Sequence, residues 1–322
     1  TLIVMDSTHL STAGHFTGFE TLQLEDDVSV DMDDIAGITA LNITLAGAGN
    51  TTGATDMSSA VAGNITLRAA AATSTLVLGV KDSATLNQID TVKVTVDDDS
   101  GTAGDSTATV GTLTMVGVEI LDVVAVDHAD ITLSETSNDG LNSVLLSGAG
   151  DIKIVTGDLS SASVSIDGNT ATGDLTIDAS AFAGTTLAIT TGSGTNTVTG
   201  SSIADTITLG SGTDTVVFTT GLTKDTISGF TLGAAGDVLQ ADVSLLETAG
   251  AVIAATTIDL VELQDATATA GGDTIVIQEV ADQSGGAAVA ASAGANVFVL
   301  LTETYANVAA MVDGIETGDH EL

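Results

Sequence analysis

Between Ile189 and Phe218 the chain reads ITTGSGTNTVTGSSIADTITLGSGTDTVVF, and three short units in it align on an acid or amide followed two places later by an aliphatic residue. They are Gly194-Thr195-Asn196-Thr197-Val198, Ile203-Ala204-Asp205-Thr206-Ile207 and Gly212-Thr213-Asp214-Thr215-Val216. Asn196 to Asp205 and Asp205 to Asp214 are both steps of nine residues. Glycine, Asp and aliphatic residue in this order and at this period form the nonapeptide pattern of stacked β-turns. The aliphatic residue points inward from a short strand, and the glycines let the chain turn through left-handed dihedrals that a Cβ would penalise. The Asp is left on the turn, where its oxygens and the turn carbonyls can surround a hard cation such as Ca²⁺, each cation shared between stacked neighbours. Asn196 stands where the first unit wants Asp, and Ile203 where the second wants glycine; Gly210–Val216 is nearly clean. The competing reading is a plain Gly/Thr-rich β-solenoid whose Asp side chains merely solvate the turns.

Strand-like alternation extends this rhythm toward the N-terminus. Leu22, Leu24, Val28, Val30 and Met32 alternate, as do Leu41, Ile43 and Leu45, Ile65 and Leu67, Leu76 and Leu78, and Val92, Val94 and Val96. Gly47-Ala48-Gly49-Asn50 and Asp97-Asp98-Asp99-Ser100-Gly101 read as turns between them. Strand centres then follow near Ile154, Val164, Leu175, Leu187, Val198, Ile207 and Val216, and the spacing tightens to nine where the nonapeptides begin. The β-roll therefore reads as a continuation of a longer solenoid. Composition agrees: 43% of residues are hydrophobic but only 2% are aromatic, so the core is built from small aliphatic side chains in thin layers.

An internal repeat divides the first part. Gly18-Phe19-Glu20-Thr21-Leu22-Gln23-Leu24 returns 99 residues later as Gly117-Val118-Glu119-Ile120-Leu121-Asp122-Val123. Leu45-Ala46-Gly47-Ala48-Gly49-Asn50 returns after 101 residues as Leu146-Ser147-Gly148-Ala149-Gly150-Asp151. Two blocks in one order at nearly one offset predict two solenoid modules, 1–110 and 111–190, followed by a β-roll with its cap over 191–243. From 244 to 322 the pattern changes to a small α+β terminal domain, with one helix over Thr304–Ile315 and Tyr305 as an anchor of its packing.

Charge narrows the function classes. The 43 acids face five bases, for a net charge of −38, so no basic patch exists to meet nucleic-acid phosphates. Such a surface repels itself until divalent cations or salt weaken the repulsion. There is no cysteine, which rules out disulfides and thiolate metal sites. No apolar run reaches membrane-spanning length. Residue 1 lies inside an apolar alternation without a start methionine or signal peptide, which predicts a piece of a longer protein. His-Glu-x-x-His, Gly-x-Ser-x-Gly and a phosphate-binding Gly-rich loop with Lys are all lacking, and His9, His15, His128 and His320 have no zinc spacing, so no enzyme activity is expected. The acidic clusters Glu25-Asp26-Asp27, Asp31/Asp33/Asp34 and Asp97–Asp99, and the turn acids Asp151, Asp158, Asp167, Asp174 and Asp178, read either as solvated turns or as further calcium sites.

On the nonapeptide residues the chain resembles the RTX (repeat-in-toxin) calcium-binding β-roll proteins. Lys224-Asp225-Thr226-Ile227-Ser228-Gly229-Phe230 and Gly236-Asp237-Val238-Leu239 are similar to the segment that closes such rolls. The candidate metal-site residues are thus Gly192, Gly194, Asn196, Asp205, Gly210, Gly212, Asp214, Asp225 and Asp237, with Ca²⁺ as the cofactor. In its Thr/Ala/Gly/Val/Asp composition and its Gly-Phe-Glu-x-Leu repeat the whole chain resembles RTX-type bacterial surface-layer proteins, such as the Caulobacter kind. That resemblance implies a structural protein, secreted by a type I exporter, that folds in extracellular calcium and self-assembles into a lattice on the bacterial cell surface. It also implies an anchor to cell-surface polysaccharide through a region outside this chain. The alternative expectation is a secreted adhesin or biofilm-matrix protein in which the solenoid is a stalk, or the export module of a hydrolase.

Overall fold

The structure, a computed structural model, describes residues 1–4, 18–45, 47, 49–70, 74–81, 89–98, 104, 106–134, 140–157, 159, 161, 163–218, 225–231, 236–241, 273–280 and 295–301, and all that follows concerns these. They build an elongated parallel β-solenoid. From Thr21–Leu24 to Val238–Ala241 successive strands alternate between a sheet of thirteen strands and a sheet of ten. Thr186–Thr190 lies in the first, Thr197–Thr199 in the second, Asp205–Thr208 in the first again and Thr215–Phe218 in the second. One full turn therefore takes two strands, and a nine-residue unit is half a turn.

The length of a turn varies along the chain, from an offset of 19 residues at Thr21↔Ala40 to 37 at Thr75↔Thr112. Pairing is offset by 29 residues at Ile65↔Val94, by 23 at Ile120↔Ser143 and Ile152↔Leu175, and by 18 at Leu187↔Asp205 and Thr197↔Thr215. In the 18-residue turns the corners carry Gly192, Gly194, Gly200, Gly210 and Gly212.

Alternation inward and outward makes the core a set of files. Leu22, Leu41, Ile65, Val94, Val123 and Leu146 pair in succession down the first sheet, and all six are buried. Each buried aliphatic side chain contributes about 1.5–3 kcal/mol by leaving water. The repeat read from the sequence occupies equivalent places four strands apart in this sheet. Gly18 and Gly117 both have positive φ, at 83° and 62°, before the strands Thr21–Leu24 and Ile120–Ala125. The Glu20 carbonyl accepts from Thr39 N and Ala40 N, and the Glu119 carbonyl from Asn142 N and Ser143 N.

Strands are legible where large aliphatic residues alternate and invisible where they do not. Thr51–Met57 carries Gly53 and Ala54 in place of large aliphatic residues, with Asp56 at positive φ, yet it pairs with Ser29–Asp31 and Thr75–Val80. A four-residue helix, Ser59–Ala62, also has no sequence signal; it packs on the strands Ala40–Leu45, Thr51–Met57 and Thr91–Val96 with Val61 and Ala62 buried.

The segment expected to close the roll does something different on its first sheet. Asp225–Phe230 pairs parallel with Asp205–Thr208, as any other rung does. Its free edge is covered by Asp273–Val280, which runs antiparallel to it and pairs in turn with Ala295–Leu301. Reversal of strand direction ends the parallel file and protects its edge. On the second sheet the last strand is Val238–Ala241. The helix expected over Thr304–Ile315, with Tyr305, lies outside the described residues, as do His9, His15, His320 and Asp158. Among the described residues no helix is long and apolar enough to cross a membrane.

Candidate functional site

The nonapeptide acids form two files on opposite sheets, not one. Asn196, Asp214 and Asp237 follow one another in the second sheet, because Thr197 pairs with Thr215 and Thr215 with Val238. Asp205 and Asp225 follow one another in the first, aligned by Thr206↔Thr226. Neighbours in sequence, nine residues apart, are therefore on opposite sides of the core. The units that stack are those eighteen residues apart.

In both files the acids replace core residues. Asn196, Asp214 and Asp237 continue the inward file Ala129, Ile152, Leu175, and Asp205 sits directly below Leu187. Asn196 is fully buried, and Asp205, Asp214 and Asp225 are only 1–2% exposed. Burying a carboxylate is costly unless its oxygens are satisfied. Part of that need is met by the backbone of the neighbouring turn. Asn196 Oδ1 accepts from Leu175 N, Asp214 Oδ1 from Asn196 N, Asp237 Oδ1 from Asp214 N and Asp225 Oδ1 from Asp205 N, at 2.7–3.0 Å. Asp237 Oδ2 also accepts from Thr231 N at 2.7 Å. Asp205 is satisfied locally, with Oδ2 accepting from Ser201 N at 2.7 Å and Oδ1 from the Ser201 hydroxyl at 2.6 Å.

Asp214 is the exception. Its Oδ2 is buried and accepts no hydrogen bond among the described residues. Desolvation pushes the Asp214 carboxyl above the ordinary aspartate range, hydrogen bonds from Asn196 oppose this, and the charges of Asp237 and Asp174 add to it. Asp205 is raised too, by burial, with the Ser201 hydrogen bonds pulling the other way. A hard divalent cation would find oxygen ligands here: one buried oxygen of Asp214 lacks a partner, and the carboxylates of Asp237 and Asp174 are near enough to act on it. Asp214 and Asp237, with turn carbonyls, are the residues that would hold it.

The predicted glycines lie where expected but for another reason. Gly192, Gly194 and Gly210 do not have positive φ; of the four, only Gly212 does, at 133°. A Cβ on any of the four would run into a carbonyl of the turn before: Ala171 O for Gly192, Gly173 O for Gly194, Gly192 O for Gly210 and Gly194 O for Gly212. Close stacking, rather than a left-handed backbone, demands glycine at the first three.

The remaining acids mostly cap backbone. Asp151 Oδ1 accepts from Asp174 N, and Asp174 Oδ1 from Thr195 N. His128 Nδ1 accepts from Asp151 N at 3.1 Å, which places this histidine in the same file of turn acceptors. Asp26 and Asp27 accept from Gly47 N and Thr51 N, Asp31 from Asp33 N, Asp167 from Asn169 N and Asp178 from Ser180 N. Among the described residues, one group of three brings carboxylate oxygens within 4.8 Å of one another, namely Asp97, Asp98 and Asp127. Both oxygens of the buried Asp127 already accept there, from Asp98 N and Gly104 N. Neither Asp127 nor Ser201 is marked by the sequence pattern; Ser201 lies four residues before its partner, a spacing foreign to the nonapeptide. Comparison with known proteins adds nothing further: no family model, no curated protein and no solved structure matches the chain.

Proposed function

We propose that the protein is a structural component of a bacterial surface layer whose folding and self-assembly depend on calcium. The observation that carries the reading is the file of oxygen ligands at the buried Asn196 and Asp214 and the half-buried Asp237, with an unpartnered Asp214 Oδ2, in a chain of net charge −38. Without a cation, ionised Asp214 is buried with the charges of the half-buried Asp237 and the exposed Asp174 acting against it. A bound divalent cation offsets that repulsion, and its binding free energy adds to folding because the unfolded chain offers no such site. At cytoplasmic calcium the roll is then unstable and the chain remains exportable by a type I route; outside the cell it folds. Calcium between acidic outer faces would also bridge copies that otherwise repel. The reading places the protein outside the cell and gives it no catalytic step.

Light scattering during a calcium titration of chelator-treated protein tests this. Mass that climbs without limit at millimolar calcium and falls again with chelator is the expected result. Compaction to a stable monomer would favour the stalk of an adhesin or biofilm-matrix protein instead. No response to calcium would overturn the reading.

A further inference from the structure

Asn196 stands where the repeat pattern puts an acid, and its surroundings explain what the amide does. Asn196 Nδ2 donates to Gly194 O at 2.9 Å, to Gly192 O at 3.3 Å and to Asp214 Oδ1 at 2.7 Å. One nitrogen thus sits among three oxygens contributed by two stacked turns, with Asn196 and Asp214 both buried. Three converging oxygens around one electropositive centre is the arrangement that a small cation between turns would otherwise organise.

Register carries every member of this set one turn onward. Gly210 stacks on Gly192, Gly212 on Gly194, Asp214 on Asn196 and Asp237 on Asp214. The backbone acceptor role is kept in the step: Asn196 Oδ1 takes Leu175 N, and Asp214 Oδ1 takes Asn196 N. The second terminal atom is what changes. In Asn196 it is a nitrogen with two protons to give; in Asp214 it is Oδ2, which has none and is left without a partner.

From this the geometry points to a division of labour within the file: the Asn196 amide is a built-in substitute for a cation between the turns of Asn196 and Asp214, and a divalent cation is taken only in the next gap, between the turns of Asp214 and Asp237. The division rests on the calcium reading above for its second half; the first half stands on the hydrogen bonds alone. It gives the file a fixed point that closes without metal, next to a gap that closes only with it. The part of the solenoid up to Asn196 would keep its stacking in the absence of calcium, and loss of order on chelation would begin beyond Asp214.

Calcium stoichiometry of the full chain, measured by isothermal titration calorimetry for wild type, Asn196→Asp and Asp214→Asn, tests the proposal. Asn196→Asp is expected to bind one calcium more than wild type and to need calcium for folding, since its new carboxylate faces Gly192 O, Gly194 O and Asp214. Asp214→Asn is expected to bind one fewer and to resist chelator better than wild type. An Asn196→Asp protein that folds and binds the wild-type number overturns the proposal. If Asn196→Asp does not fold at any calcium concentration, Asp214→Asn decides, and an unchanged count there overturns it equally. A wild type that binds no calcium while Asn196→Asp binds one would sink the proposed function yet leave the amide's role intact.

Discussion

Replacing Gly210 by Ala separates two reasons for a glycine at a solenoid corner. The backbone of Gly210 is not left-handed, so an alanine there meets no dihedral penalty. Its Cβ would, however, lie inside any real contact distance of Gly192 O and also within 2.7 Å of Gly192 C and 2.9 Å of Thr191 O. All three are backbone atoms of the turn before and cannot rotate away. Relief requires the two turns to part by on the order of 1 Å, a fifth of the ~4.8 Å strand spacing. The bonds that join these two turns at this corner are Gly210 N to Thr191 Oγ1 and Thr191 N to Thr208 O, both at 2.9 Å. Weakening both, at about 1 kcal/mol each, together with about 1–2 kcal/mol of overpacking strain, puts the cost at about 2–4 kcal/mol. Gly49→Ala is the matched control: nothing lies within 4 Å of a Cβ there, but φ is +78°, so only the left-handed penalty of about 1–2 kcal/mol applies. Denaturant unfolding at fixed calcium gives both numbers. Because a solenoid opens locally, hydrogen exchange at Thr191 N and Gly210 N should show the same ranking. If Gly210→Ala costs no more than Gly49→Ala, the stacking explanation of this glycine column is wrong.

Further expectations concern the buried acids and the core. Asp205 and Asp214 are both raised above the ordinary value of 3.8, so the folded state binds these protons more tightly than the unfolded chain. In chelator, their contribution should therefore make the protein more stable as pH falls from neutrality through the raised range, with no further gain below the ordinary one. The Asp205→Asn/Asp214→Asn double variant should show a flatter pH profile; identical slopes would refute the assignment. Ser201→Ala removes the 2.6 Å hydrogen bond to Asp205 and should cost about 1.5–3 kcal/mol in denaturant unfolding, with a smaller loss at acid pH where the carboxyl is neutral. Ile207→Ala empties a fully buried site in the first sheet and should cost about 2–5 kcal/mol, read from the same unfolding curves. Lys81→Ala breaks an ion pair with Asp33 whose side chains are both about half exposed, and should change stability by well under about 1 kcal/mol.

What the residues alone determined is the local rule of the fold. Alternation at Leu41, Ile43 and Leu45, or at Val92, Val94 and Val96, fixes which side chains face inward, because a strand turns over at each residue. The nine-residue step likewise marks Asn196, Asp205 and Asp214 as equivalent positions of one repeat. Thr51–Met57 stays hidden because its buried positions include Thr52, Gly53 and Ala54, too small to stand out from a turn. Only the tertiary structure decided which equivalent positions meet. A strand pattern says nothing about when the chain returns to the same sheet; corner length sets that, and here a turn closes after 18 residues. That return places Asn196 against Asp214 and sends Asp205 to the other side. It also brings the carbonyls of one turn so near the corners of the next that glycine is required there, and it leaves Asp214 Oδ2 buried without a donor among the described residues. Stacking distance is a property of two turns together, so no single segment could have shown it.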